Sequence, residues 1–374
     1  MKKVDIVNIF KDVKDYRMQG KIDYPLIEIL VISVCAVLCG AEGYSDIAKF
    51  GEMKKDMFKQ FLALENGIPT DDTFRIVFNC LKPKEFEKCF LKLISKMAKI
   101  NNQIIPIDGK ALRGANDAGE TPIYVVSAWA KESGIVLASK KVRKKSNEIT
   151  AIPEVLDMID IKGCIVTIDA MGCQKKIVKK IVENGADYVI SVKGNQGSTS
   201  EEAKDYFETC LKFGFDEEYD YYETIEKSHG RIEKRRYYVT EYIDYIHLKD
   251  KWANLKSIGM VHSIVEKNGK ISEDKRYHIS SLKADAKQYA ECVRGHWSIE
   301  NSCNWILDVV FKEDKSRIRK GYSAENMAVV RRIAMNILKT DTTLKGSTRL
   351  KFKQLSWDTD LVLPLLFKND AETM

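Results

Sequence analysis

The chain contains no CxxC pair. Its nine cysteines and five histidines show no metal-ligand spacing, so a structural zinc site is not expected. The cysteine count is odd, and no secretory signal precedes the first helix-like run; both fit a reducing cytoplasm rather than a disulfide framework. Cys35 and Cys39 fall inside an apolar run, where thiols act as small core hydrophobes. No apolar stretch reaches the ~20 residues that a bilayer demands. The best candidate, Ile29 to Gly40, reads as a buried helix, so no membrane partner is expected. Internal repeats and low-complexity tracts are also missing, which excludes solenoids and disordered arrays.

What is present is a globular composition, 44% hydrophobic and 31% charged over 374 residues. That length predicts two or three structural units. The net charge of +7 permits a nucleic-acid partner and equally suits an ordinary solvated surface. Residues 1–100 read as helices: Leu26–Leu38, Gly43–Gly51, Met53–Leu64, a segment after Thr70, and Lys84–Ile100. Thr70 is a helix cap, with Asp71 and Asp72 in the first turn. The short helices suit a helix-turn-helix DNA reader or a plain supporting bundle. From Gln103 the pattern changes to strand, hairpin, helix, strand, helix, strand, which predicts a mixed α/β sheet. A stretch from about 196 to 283 reads as a strand-rich insertion. Helical segments at 285–311 and 324–338 return the chain to the core, giving a unit over 101–345 and a tail over 346–374.

Three acids stand out on separate elements. Asp108 ends the apolar run Ile104-Ile-Pro-Ile, Asp169 ends Cys164-Ile-Val-Thr-Ile, and Glu300 lies in the helical segment Arg294-Gly-His-Trp-Ser-Ile-Glu. Each alone suits a turn or a surface charge. Together in a basic protein they suggest a site for two divalent ions that cuts and joins phosphodiesters, since hard oxygen donors suit Mg²⁺. Without metal, acids so close would raise one another's pKa. Nearby cations and amides supply candidate DNA contacts: Lys110 and Arg113, Lys145 and Asn147, Lys193 and Asn195, Arg231, Arg235 and Arg236, Arg294 and His296. For each basic cluster a solvated face is the alternative. Trp297 suits base stacking or the core, and His296 a phosphate contact or a structural role.

Five motifs in order then carry a resemblance: Ile107-Asp108-Gly-Lys-Ala-Leu-Arg-Gly, Lys145-Ser-Asn-Glu-Ile, Thr167-Ile-Asp169-Ala-Met-Gly-Cys-Gln, Lys193-Gly-Asn-Gln196 and His296-Trp-Ser-Ile-Glu300-Asn. With Asp72-Thr-Phe-Arg-Ile-Val-Phe near the N-terminus, the chain closely resembles the DDE-type insertion-sequence transposases of the H-repeat-associated group, over nearly its whole length. The resemblance implies a ribonuclease-H-like α/β core with flanking helices, preceded by a helical DNA-binding domain over 1–100. It implies Asp108, Asp169 and Glu300 as ligands of two Mg²⁺ or Mn²⁺ ions, and double-stranded DNA (element ends and target) as partner. Cleavage would free a 3′ hydroxyl that attacks target DNA, within a homodimer that pairs two ends. The wider superfamily places Tyr, Arg and Lys at set offsets from its Glu; here Val293, His296 and Leu307 stand there, and Arg294, His296 or Lys312 are the alternative substitutes. The alternatives are a nuclease that does not join, or a DNA-binding protein that has lost catalysis. A glycosidase with paired acids is remote.

Overall fold

The computed structural model describes residues 6–18, 20–115, 123–142, 148–228, 230–247 and 249–366. Six helices come first: α1 (Ile6–Phe10), α2 (Leu26–Leu38), α3 (Tyr44–Met53), α4 (Lys55–Phe58), α5 (Asp71–Cys80) and α6 (Pro83–Met97). α2 is apolar around almost its whole circumference and is buried from Leu26 to Leu38, Glu28 included, except for the half-buried Ile27. That is what such a sequence must do in water. Thr70 caps α5 by accepting from the Thr73 amide. The helix expected over Met53–Leu64 is cut short. Leu64 adopts a left-handed backbone (φ 48°), and its amide donates to the buried Glu28 carboxylate at 2.9 Å, which pulls the chain into a turn.

The sheet elements follow: β1 (Ile104–Leu112), β2 (Ile123–Ala130), β3 (Ile135–Val142), α7 (Glu148–Asp157), β4 (Ile165–Ile168), α8 (Lys175–Glu183), β5 (Asp187–Val192) and α9 (Gly197–Phe213). Next come β6 (Asp220–Ser228), β7 (Arg231–Thr240), β8 (Ser257–Lys267) and β9 (Lys270–Ser280). The chain closes with α10 (Ala286–His296), α11 (Trp305–Val309), α12 (Ser323–Thr340), α13 (Thr348–Trp357) and α14 (Leu363–Leu366). The nine strands among the described residues form one sheet, ordered β3-β2-β1-β4-β5-β9-β8-β7-β6. β1, β2 and β3 make an antiparallel meander, and β4 and β5 run parallel to β1. This is a ribonuclease-H-like mixed sheet with helical cover.

The strand-rich stretch does not stand apart from that sheet. β9 pairs antiparallel with β5, and β8, β7 and β6 extend the sheet outward as successive hairpins. β6 is the strand that sequence patterning passes over, because its residues alternate among polar types and stay largely exposed.

Alternation along the strands divides the side chains between two cores. Ile105 and Ile107 of β1, Val166 and Ile168 of β4, and Tyr188 and Ile190 of β5 join the larger core, which runs on into α2, α6 and α12. Ile104 and Val189 face the other way, into a smaller core with Ala286, Tyr289, Ala290 and Cys292 of α10. α12 lies against α2, α5 and α6, so the N-terminal helices and the sheet share one continuous interior. The exposed side of α5 carries Asp71, Asp72, Arg75 and Ile76, which is not the basic face of a groove-reading helix. Among the described residues no helix is long and apolar enough to cross a membrane.

Candidate active site

The two aspartates are brought together by strand register. Ile107 of β1 pairs with Ile168 of β4 in parallel, so the next residues on each chain, Asp108 and Asp169, stand side by side one strand spacing (~4.8 Å) apart. Asp169 keeps extended backbone (φ −68°, ψ 174°), so both acids turn to the α10 face, opposite their isoleucine neighbours. The same alternation delivers Thr167 of β4 and Ser191 of β5 to this face, and Ser191 pairs with His278 of β9.

Two glycines permit the close packing. A Cβ on Gly109 would lie 2.3 Å from the buried Glu148 carboxyl, and one on Gly172 would lie 2.2 Å from Ile168. A side chain at Gly109 would push β1 at Asp108, and one at Gly172 the turn after Asp169, out of position.

Glu300 arrives from the helical segment, which is not one regular helix. Asp285 caps α10, accepting from the Gln288 amide at 2.8 Å, and α10 ends at His296. A π-helical turn follows from Ile299 to Asn304, in which the Trp305 amide donates to the Glu300 carbonyl five residues back. Such turns recur at functional sites. This one puts Ile299 inward and leaves Glu300 exposed at the rim. It also presents Asn304, whose amide donates to Asp108 Oδ2 at 3.2 Å. Sequence reading misses Asn304; its one trace is the four-residue spacing from Glu300.

All three acids line a single cleft of about 330 Å³, together with Lys193, Arg276, His278, His296 and Trp297. Asp108 lies deepest. Burial, then the charges of Asp169 and Glu300, push its carboxyl up to about 6, against hydrogen bonds from the Gly109 amide and Asn304. No lysine or arginine pairs with any of the three among the described residues. Uncompensated hard oxygen donors in one cleft are the donor set that Mg²⁺ or Mn²⁺ takes. The acids fit in kind, yet no three His, Cys, Asp or Glu side chains among the described residues are drawn tightly enough to enclose one ion. Asp169 spends Oδ1 capping its own turn, accepting from Met171 (3.0 Å) and Gly172 (3.2 Å), which leaves Oδ2 for a ligand.

The histidines of the cleft stay neutral. Burial lowers the His296 pKa, against the pull of Asp169, and its Nδ1 shares a 3.1 Å hydrogen bond with Thr167 Oγ1. His278 is driven down to about 3 by burial and then by His296, Arg276 and Lys193, and Tyr289 holds its Nδ1 at 2.6 Å.

The other candidate contacts are used differently. Lys110 is buried, not presented to a phosphate. Its ammonium is ringed by Asp308, Glu313 (3.0 Å) and Asp314 (3.3 Å), because a cation on that strand position must be neutralised to be buried. Asn195 donates to the Ala170 carbonyl at 2.6 Å and Gln196 to the Cys173 carbonyl at 2.9 Å, so the Lys-Gly-Asn-Gln turn props the Asp169 loop. The basic run on β7 is compensated by neighbouring acids: Arg231 pairs with Glu233 (3.3 Å), Arg235 with Glu233 and Glu226, and Arg236 with Glu223 (3.2 Å). Arg294 reaches Glu226 of β6 at 3.1 Å rather than the cleft. Arg113 projects into solvent beyond β1, with Asp314 at 4.0 Å. Lys193 stands at the cleft rim. Trp297 is 40% exposed, with the Arg276 guanidinium 5.4 Å from its ring centre, so it is not core. Lys145 and Asn147 lie outside the described residues.

Comparison with known proteins covers both parts of the chain. The family described as Transposase DDE domain matches residues 101–337, and DDE_Tnp_1-associated matches 7–94. "H repeat-associated putative transposase YhhI" of Escherichia coli K12 is 40% identical over 95% of this chain and 95% of its own. "Putative transposase YncI" of E. coli O157:H7 is 38% identical over 95% of this chain and 92% of its own. A solved piggyBac transposase synaptic complex with hairpin DNA covers 99% of this chain and 85% of its own at 12% identity, with a TM-score of 0.39, too loose a likeness to carry weight.

Proposed function

Because this chain belongs to the family of transposases with a DDE domain, we propose that it binds the terminal inverted repeats of an insertion sequence, cuts DNA at their ends and joins the freed 3′ hydroxyl to target DNA. The observation that carries the reading is the convergence of Asp108, Asp169 and Glu300, from two adjacent strands and a π-turn, on one cleft where the buried member feels the other two.

In this reading Asp108, Asp169 Oδ2 and Glu300 would hold two Mg²⁺ or Mn²⁺ ions, which would supply charge neutralisation at the phosphate and Lewis acidity toward the attacking and leaving oxygens. The chain's own residues do the rest. Asn304 fixes the Asp108 carboxylate by donating to Oδ2. The capped turn after Asp169 holds its carboxylate at the strand end. Thr167 holds the His296 ring against the cleft through the 3.1 Å hydrogen bond to Nδ1. Lys193 at the rim offers a cation to the DNA backbone, and Arg113 a second beyond β1. Contacts from Lys145 and Asn147 rest on the resemblance alone. A homodimer pairing two DNA ends belongs to the same proposal.

The test uses a duplex that carries the sequences flanking this gene, including any imperfect inverted repeats. With Mg²⁺ and stoichiometric protein, nicks with 3′ hydroxyl ends are expected at the repeat boundary, and pre-cut ends are expected to join a target plasmid. Asp108→Ala should abolish cutting while retaining binding to the ends. Cutting without joining would favour a plain nuclease, and binding without cutting a relic. Equal loss of binding and cutting in a folded Asp108→Ala protein would refute the assigned role.

A further inference from the structure

A second cavity opens beside the acid cleft. It has about 370 Å³, and its lining includes Lys193, Gly194, Ser200, Asp274, Lys275 and Arg276. Lys193 and Arg276 belong to both cavities, so the two share a wall. That follows from topology. Val192 pairs with Tyr277, so the next residues outward, Lys193 and Arg276, meet at the carboxyl end of β5 as the chain leaves for α9. Crevices outside the carboxyl ends of parallel strands are where open α/β sheets take ligands.

Charge separates the two cavities. The first gathers acids; the second gathers three cations against Asp274 alone. No ion pair holds Lys193 among the described residues. Among the described residues Lys275 has only Glu208 at 3.8 Å, near the limit of an ion pair, whereas Arg276 is engaged by Asp274 at 2.7 Å and by Trp297. The Gly194 and Gly197 Cα atoms face open space, so a bulky anion can reach the backbone there.

We propose that this second cavity binds a backbone phosphate of the DNA strand whose neighbouring phosphate lies against the acids. An acidic cleft repels DNA unless cations adjoin it, and the shared wall lets one sugar–phosphate chain run from one cavity into the other. Lys193 and Lys275 supply the charge, while Arg276, braced by Asp274 and Trp297, forms the partition. The inference rests on the DNA reading above and adds a location to it.

The experiment measures binding of the full-length chain to a labelled duplex of about 40 base pairs, in chelator so that nothing is cut, across a salt series. Each phosphate-bound lysine contributes about one to the slope of log K against log salt. Lys193→Met with Lys275→Met should flatten the slope by about two and weaken unrelated sequences equally. Lysine-to-arginine changes at the same places should restore it. Lys353→Met, on the exposed face of α13, should leave it unchanged. Both lysines are exposed, so the variants are expected to fold, which their melting curves would check. A double variant that keeps the parent slope would overturn the second cavity while leaving the transposase reading intact. A parent protein that fails to bind the duplex at low salt would overturn both.

Discussion

Asp108 carries a thermodynamic cost that can be measured. Its carboxyl ionises at about 6 in the fold against the usual 3.8. Below both values the two states are equally protonated and there is no penalty. As pH rises between them the unfolded chain loses its proton first, so stability falls; above 6 the loss is complete, at about 3 kcal/mol. Asp108→Asn should therefore be more stable than the parent at neutral pH by up to about 3 kcal/mol in chelator, with the gap closing below about pH 4. Denaturant melts at several pH values would read this, and a gap that ignores pH would show that burial and the other two acids do not strain Asp108. Added Mn²⁺ should raise the parent's melting temperature with the logarithm of its concentration above the dissociation constant and leave Asp108→Asn nearly unmoved. The aspartates were legible in the sequence because two short apolar runs each end in Asp and a third acid follows on a helical segment, although either Asp alone suits a turn. Asn304 was not, because an amide four residues beyond Glu300 has meaning only once the π-turn sets its direction.

The elements that hold the acids are tied by a buried ionic cluster. Lys110 of β1 meets Asp308 of α11 and Glu313, and Glu313 in turn meets Arg332 of α12 at 2.9 Å. Burial works against the Glu313 carboxylate, but Arg332, Lys110 and Arg331 pull it down to about 2. The cluster thus links the strand of Asp108 to the segment that follows Glu300. Removing one member strands the others in a dry interior, so Lys110→Met should cost about 3–5 kcal/mol of stability. Denaturant unfolding measures it; a stable variant with weakened DNA binding would instead make Lys110 the phosphate contact that its sequence position suggests. Sequence could not separate these roles, since Lys110 and Arg113 look alike on paper and only the arrival of α11 buries the first. The β7 run misleads in the same way. Its arginines read as a DNA track until β6, unmarked by apolar alternation, lays Glu226 and Glu223 across Arg235 and Arg236.

Across the whole molecule, the larger of the two cores joins the N-terminal helices to the sheet through α12. The change from helical to strand patterning near Gln103 was plain in the sequence, but the packing across it was not, because helix periodicity states which face is apolar and not what covers it. A shared core predicts shared unfolding. The intact chain should melt in a single transition, and a fragment beginning at residue 101, which bares the faces of α12 that meet α2, α5 and α6, should be insoluble or molten. Calorimetry of the whole chain reads this, and two separated transitions would show that the helices are an independent unit. The most direct test of the site itself is to load the protein with Fe²⁺ in place of Mg²⁺ and let ascorbate and peroxide generate hydroxyl radicals at the bound ion. Peptide mapping should find backbone cuts in three separate stretches, around Asp108, Asp169 and Glu300, all suppressed by Mg²⁺ and lost in Asp108→Ala. Cuts confined to one stretch, or scattered without regard to Mg²⁺, would contradict a metal site shared by the three acids.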